Sequence, residues 1–179
     1  MATTASEIGS QDHRSPLERM AARLATAGAL VAVLASGCAG YSPQGLLPGS
    51  SRAAVIAQMG EPTARFAQPG GGERLEFWRG RYAKHSFMVD FDAQDRMLAW
   101  QQVLTEANFF ELRPGMSKAE VLYRIGHPSE ARILQRQQHQ LWSYRYVSPF
   151  CLWFQVSLDQ QDRVVELGNN DDPVCTSPW

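Results

Sequence analysis

Apolar and polar positions alternate along this chain in two registers, and each register occurs twice. Between Leu112 and Pro128 (LRPGMSKAEVLYRIGHP) the apolar residues Val121, Leu122 and Ile125 share one helical face, while Lys118, Glu120 and Arg124 fall elsewhere. The ends of this helix are written into the same stretch. Ser117 stands at the N-cap with Glu120 three residues on, which makes a capping box, and Met116 and Val121 occupy the two positions of a hydrophobic staple. Gly126 can take the backbone conformation that closes a helix, and Pro128 blocks its continuation.

An ungapped copy precedes it at Leu46–Pro62 (LLPGSSRAAVIAQMGEP). Eight of the 17 positions are identical, and they are the cap, the core face and the stop, so what repeats is a structural unit. The offset is 66 residues, from Gly49 to Gly115.

Period-two patterns follow each helix. In the first unit they predict strands over Arg74–Arg79, around Phe87, Val89 and Phe91, and over Met97–Leu104. In the second they predict Leu141–Tyr146, Leu152–Leu158 and Arg163–Leu167. The last two strands of each unit are joined by matching turns, Asp92–Asp95 and Asp159–Asp162, now at an offset of 67. The predicted class is α+β: two tandem units, each one or two short helices on a three-stranded antiparallel sheet. Such a short helix cannot hold itself together in water, so the sheet must stabilise it. Asn108–Leu112 reads as a further short helix or turn. The first strand of each unit has opposite parity in the two copies: Trp142, Tyr144 and Tyr146 mark one face, Leu75 and Phe77 the other.

Leu24–Ala35 is uncharged, of signal-sequence rather than membrane-spanning length, and preceded by Arg14, Arg19 and Arg23. The order Leu34-Ala35-Ser36-Gly37-Cys38 then resembles the lipobox of bacterial lipoproteins, with Ala35 where Leu is usual. The resemblance implies cleavage between Gly37 and Cys38 and acylation of Cys38. A start at Met20 would give a more ordinary signal of this kind. Ala39 after the cysteine, rather than Asp, implies the outer membrane by lipoprotein sorting rules, with the protein lipid-anchored and facing the periplasm. The division expected is a signal over 1–37, a linker over 38–45, units over 46–106 and 107–168, and a tail over 169–179.

The second unit carries a family likeness. Gly115, Met116, Ser117, Val121, Gly126, Pro128, Trp142 and Tyr144 resemble the pattern of the SmpA/OmlA, or BamE-like, domain. The first unit is a weaker copy: Ser50 replaces the Met, Ala54 the capping Glu, and Trp78 and Glu76 align with Tyr144 and Trp142. The resemblance implies a lipoprotein scaffold of the cell envelope, with the outer-membrane β-barrel assembly machinery as a candidate partner. Two joined units are also similar to β-lactamase inhibitor protein, which implies the alternative of an inhibitor or regulator of a periplasmic enzyme acting through a concave double-sheet surface.

Net charge is −1 and remains so without residues 1–37, so nothing indicates nucleic-acid binding. Three cysteines are present. With Cys38 lipidated, Cys151 and Cys175 form an even pair expected to bond in an oxidising periplasm, the alternative being two buried thiols. His85, His127 and His139 lack partners at metal spacing and read as surface or loop residues. Ser51 and Ser117 read as caps. Gly70–Gly72 has no phosphate-loop context, and Asp171-Asp172 reads as a polar tail pair. No catalytic residue, metal site or cofactor is expected beyond the lipid on Cys38. Trp153, with Tyr146 and Trp179, is the candidate exposed patch for a partner.

Overall fold

A computed structural model describes residues 41–176. Gly37, Cys38, Met20 and the other features of the predicted signal lie outside the described residues, as does Trp179. No helix among the described residues is long and apolar enough to cross a membrane.

Both predicted capped helices form. Helix α1 (Arg52–Met59) starts where the Ser51 hydroxyl accepts the Ala54 N–H. The second unit's principal helix (Lys118–Ile125) has the complete capping box, Ser117 bound to the Glu120 N–H and the Glu120 carboxylate to the Ser117 N–H. Each ends at a glycine in a conformation reserved for glycine, Gly60 at φ 77°, ψ −170° and Gly126 at φ 77°, ψ −162°.

The sheets are four-stranded, which corrects the expected three. In the first, β1 (Ala64–Ala67), β2 (Glu73–Trp78), β3 (Ser86–Phe91) and β4 (Met97–Gln102) lie in sequence order, all antiparallel. The second repeats this with β5 (Glu130–Leu134), β6 (His139–Arg145), β7 (Leu152–Leu158) and β8 (Val164–Asp171). The missed strands β1 and β5 are short edges with no fully buried residue, so they lack a clean apolar alternation. Between the sheets come α2 (Glu106–Phe109), slightly earlier than expected and capped by Thr105, and α3, the Lys118–Ile125 helix. Helix α4 (Pro173–Thr176) closes the described chain. β8 also runs past the expected boundary at 168: Gly168–Asp171 has turn-like composition but pairs with Leu152–Gln155, which override it by presenting a full ladder.

Register settles the parity of the first strand. Ala67 pairs with Glu73, whereas its counterpart Ile133 pairs with Gln140, so the second unit's first hairpin is one residue longer. From there the offset is 67, and Leu75 and Phe77 correspond to Trp142 and Tyr144, facing Val89 and Phe87 as those face Val156 and Phe154. The pairing of Glu76 with Trp142 and Trp78 with Tyr144 is therefore corrected: Glu76 corresponds to Ser143 and Trp78 to Arg145.

Each sheet buries its front face under its own helix. Val55 and Met59 of α1 pack on Leu75, Phe77, Val89 and Phe91, and Val121 and Ile125 of α3 pack on Trp142, Tyr144, Val156 and Leu158. The turns that close each unit are equally matched, Asp92 accepting the Gln94 and Arg96 N–H groups and Asp159 those of Gln161 and Arg163. Part of the supposed linker is fixed as well. Tyr41 sits edge-on to Phe87 under the Arg79 guanidinium, and the Gln58 amide donates to the Ser42 and Gln44 carbonyls.

Candidate functional site

Period-two geometry gives each sheet a back face as well, and the two back faces meet different fates. That of the first sheet carries Arg74, Glu76 and Trp78 on β2 with Ser86, Met88 and Asp90 on β3. The C-terminal end of α3 lies on it. Glu76 is fully buried and accepts from the His127 N–H at 2.8 Å, from His127 Nδ1 at 2.6 Å and from the Ser86 hydroxyl at 3.4 Å. Its carboxylate is so close to Gly126 that a Cβ there would lie 2.9 Å from Glu76 Cδ. Alongside, Arg74 grips Asp90 through two bonds of 2.7 and 2.8 Å, stacks on the Tyr123 ring and donates to the Tyr123 carbonyl. Glu76 and His127 thus clasp one unit to the other.

A buried carboxylate tolerates its loss of water only with such donors. The hydrogen bond that His127 donates to the Glu76 carboxylate, opposed by partial burial and reinforced by the Glu76 charge, raises the His127 pKa above the usual imidazole value. Tyr144, which donates to the Gly126 carbonyl, is raised well above the usual phenol value by burial and by the nearby Glu76 charge. A cleft of about 540 Å³ opens beside the clasp, lined by Arg74, Gln101, Asn108, Glu111, Tyr123 and Arg124 among others.

The back face of the second sheet carries Leu141, Ser143 and Arg145 on β6, Trp153, Gln155 and Ser157 on β7, and Glu166, Gly168 and Asn170 on β8. It is most fully covered at the Arg145 end. There Arg145 is buried in a two-bond pair with Asp172, at 2.6 and 2.9 Å, donates to the Arg81 carbonyl and stacks between Tyr82 and Trp153. Burial opposes ionisation of Asp172, but Arg145 and the Val174 N–H outweigh it and hold the carboxyl below the usual range. Beyond it Ser143 and Ser157 are buried and Leu141 and Gln155 half-buried, while Glu166, Gly168 and Asn170 of β8 are exposed beside a cleft of about 270 Å³ lined also by Leu134.

The expected aromatic patch is corrected by this arrangement. Trp153 is buried because Arg145 covers it, and Tyr146 is buried edge-on against Phe109. Cys151 and Cys175 are disulfide-bonded, with Cα atoms 6.3 Å apart, tying α4 to the start of β7. His85 stacks on Phe87, and His127, expected to be a plain loop residue, is half of the clasp. Ser51 and Ser117 are caps, as read. Asp172 of the supposed polar pair is buried on Arg145, while Asp171 is exposed. Among the described residues no group of three or more His, Cys, Asp or Glu is placed to hold a metal. Glu76, Arg145 and Asp172 were not anticipated. For Glu76 the available signal was a carboxylate in mid-strand between Leu75 and Phe77.

No protein-family model and no characterised protein matches the chain. Among solved structures it is similar to a cysteine-rich secretory protein from Staphylococcus aureus subsp. aureus Mu50, with 12% identity over 71% of this chain and 45% of that one, at a TM-score of 0.28. It is similar also to an extracellular SCP-domain protein from Bacillus anthracis str. Ames, with 10% identity over 98% of this chain and 52% of that one, at a TM-score of 0.28. The chain spans about half the length of both. Overlap at that level carries no argument about fold or function.

Proposed function

We propose that this chain is a non-enzymatic protein-binding module of the cell envelope: two BamE-like units, anchored by lipid on Cys38 to the outer membrane and facing the periplasm. The observation that carries the reading is the unequal use of equivalent surfaces. The C-terminal end of α3 lies on the back face of the first sheet, whereas the equivalent face of the second bears a cleft of about 270 Å³ bordered by the exposed Glu166, Gly168 and Asn170 of β8. A helix end or loop of a partner can lie there as α3 lies on the first sheet. The lipobox order at Cys38 supports the location. Two acyl chains or more would make the anchor durable, since each buried CH₂ contributes about 0.8 kcal/mol.

Affinity capture from detergent-solubilised envelopes tests this reading. Recovery of outer-membrane or barrel-assembly subunits supports the scaffold. Recovery of a single soluble hydrolase whose activity is lost on binding would replace it with the inhibitor reading.

A further inference from the structure

Four large apolar side chains stand in solvent at one end of the described structure. Phe150 is 78% exposed, Tyr82 66%, Val147 64% and Val174 55%. They come from three segments that Arg145 and Asp172 draw together. Tyr82 stacks on Arg145, Arg145 pairs with Asp172, the Asp172 carboxylate accepts the Val174 N–H, and the Asp172 N–H donates to the Cys151 carbonyl beside Phe150. The Cys151–Cys175 bond fixes the same end. Apolar side chains gathered in this way, outside both cores, mark a contact surface.

The chain reaches the fold at this end too. Tyr41 rests on Arg79, the first residue of the β2–β3 connection that carries Tyr82, and on Phe87 just beyond its other end. Only two residues separate Cys38 from Tyr41, three chain steps that span at most about 11 Å. That connection, 79–85, contains Arg79, Arg81 and Lys84 and no acidic residue, although Glu130 lies 3.5 Å from Arg81. An aromatic tip with basic neighbours suits the boundary between anionic headgroups and acyl chains.

We infer that this end is a membrane-resting surface: Tyr82, Val147, Phe150 and Val174 seat in the headgroup region of the leaflet that holds the lipid anchor, and so fix how the cleft along β8 faces the periplasm. The inference rests on the anchor proposed above. The test places p-benzoylphenylalanine singly at Tyr82, Phe150 or Ile133 in the full chain and irradiates intact membranes. Mass spectrometry then reads both lipid adducts and acylation of Cys38. Ile133 is 66% exposed but lies beside the β5–β6 connection, at the opposite end of its sheet from Phe150, and serves as the control.

Phospholipid adducts at 82 and 150 and none at 133 are expected. An acylated Cys38 with no lipid adduct at 82 or 150, with adducts to a protein there instead, or with equal lipid adducts at 133, overturns the inference and leaves the anchor standing. An unmodified Cys38 overturns both.

Discussion

Replacing Gly126 with Ala isolates the clasp between the units, because the repeat supplies its own control. Gly126 and Gly60 end equivalent helices with nearly identical backbone angles, a region that only glycine occupies comfortably. Either substitution therefore costs about 1–3 kcal/mol in backbone strain. Their surroundings differ. A Cβ on Gly60 would meet the Arg79 guanidinium at 3.2 Å, the far end of a flexible side chain that can move aside. A Cβ on Gly126 would lie 2.9 Å from Glu76 Cδ, with Oε1 nearer still, and 3.2 Å from Met88 Cε. Glu76 is fully buried and cannot move without loosening the bonds from the His127 N–H and ring. Leaving a buried charged group short of donors adds about 1–3 kcal/mol. Gly126→Ala should thus be about 2 kcal/mol more destabilising than Gly60→Ala. In urea unfolding followed by tryptophan emission, with a slope of about 2 kcal/mol/M, its midpoint should fall about 1 M below that of Gly60→Ala. Coincident midpoints would refute the claim that Glu76 holds the second unit on the first.

The remaining perturbations probe the same contacts from other sides. His127→Ala should cost about 1 kcal/mol at pH 6, discounted for the partial exposure of the ring. Because the folded pKa of His127 is raised, its contribution is complete below about pH 6.5 and fades as pH rises through the folded value. A deficit unchanged between pH 6 and 9 would contradict the ring–carboxylate bond. Asp172→Ala leaves the Arg145 charge buried without its partner and should cost about 3–5 kcal/mol in the same assay. A loss under about 1 kcal/mol would show that water reaches Arg145. Reducing the Cys151–Cys175 bond, or replacing both cysteines by Ser, should lower stability by roughly 3 kcal/mol through the closed loop alone. An unchanged midpoint under reducing conditions would remove the staple from the account.

Local signals carried much of this fold in the sequence, and long-range ones did not. The caps at Ser51 and Ser117, the stops at Gly60 and Gly126 and the matched aspartate turns depend on neighbours within four residues, so the pattern names them directly. The edge strands β1 and β5 were missed because half-exposed edges need no alternation. The parity conflict between Leu75 and Trp142 arose because the extra residue sits in the first hairpin, where no repeated side chain marks it. Burial of Trp153 could not be read locally, since its cover is an arginine paired with a carboxylate 27 residues away. The Glu76–His127 clasp joins residues 51 apart in two different units, and alternation counts Glu76 as just another outward-facing polar residue.

The central claim is that the cleft along β8 on the back face of the second sheet is where a partner sits, and Gly168 offers the most direct test. It faces that surface opposite Gln155, is exposed, and a Cβ there would meet nothing within 4 Å. Gly168→Arg should therefore leave the urea midpoint of the chain unchanged or slightly raised while filling the cleft. In side-by-side affinity capture from envelopes, the account predicts that the parent retains its partner and Gly168→Arg loses it. Equal capture by both chains would contradict it.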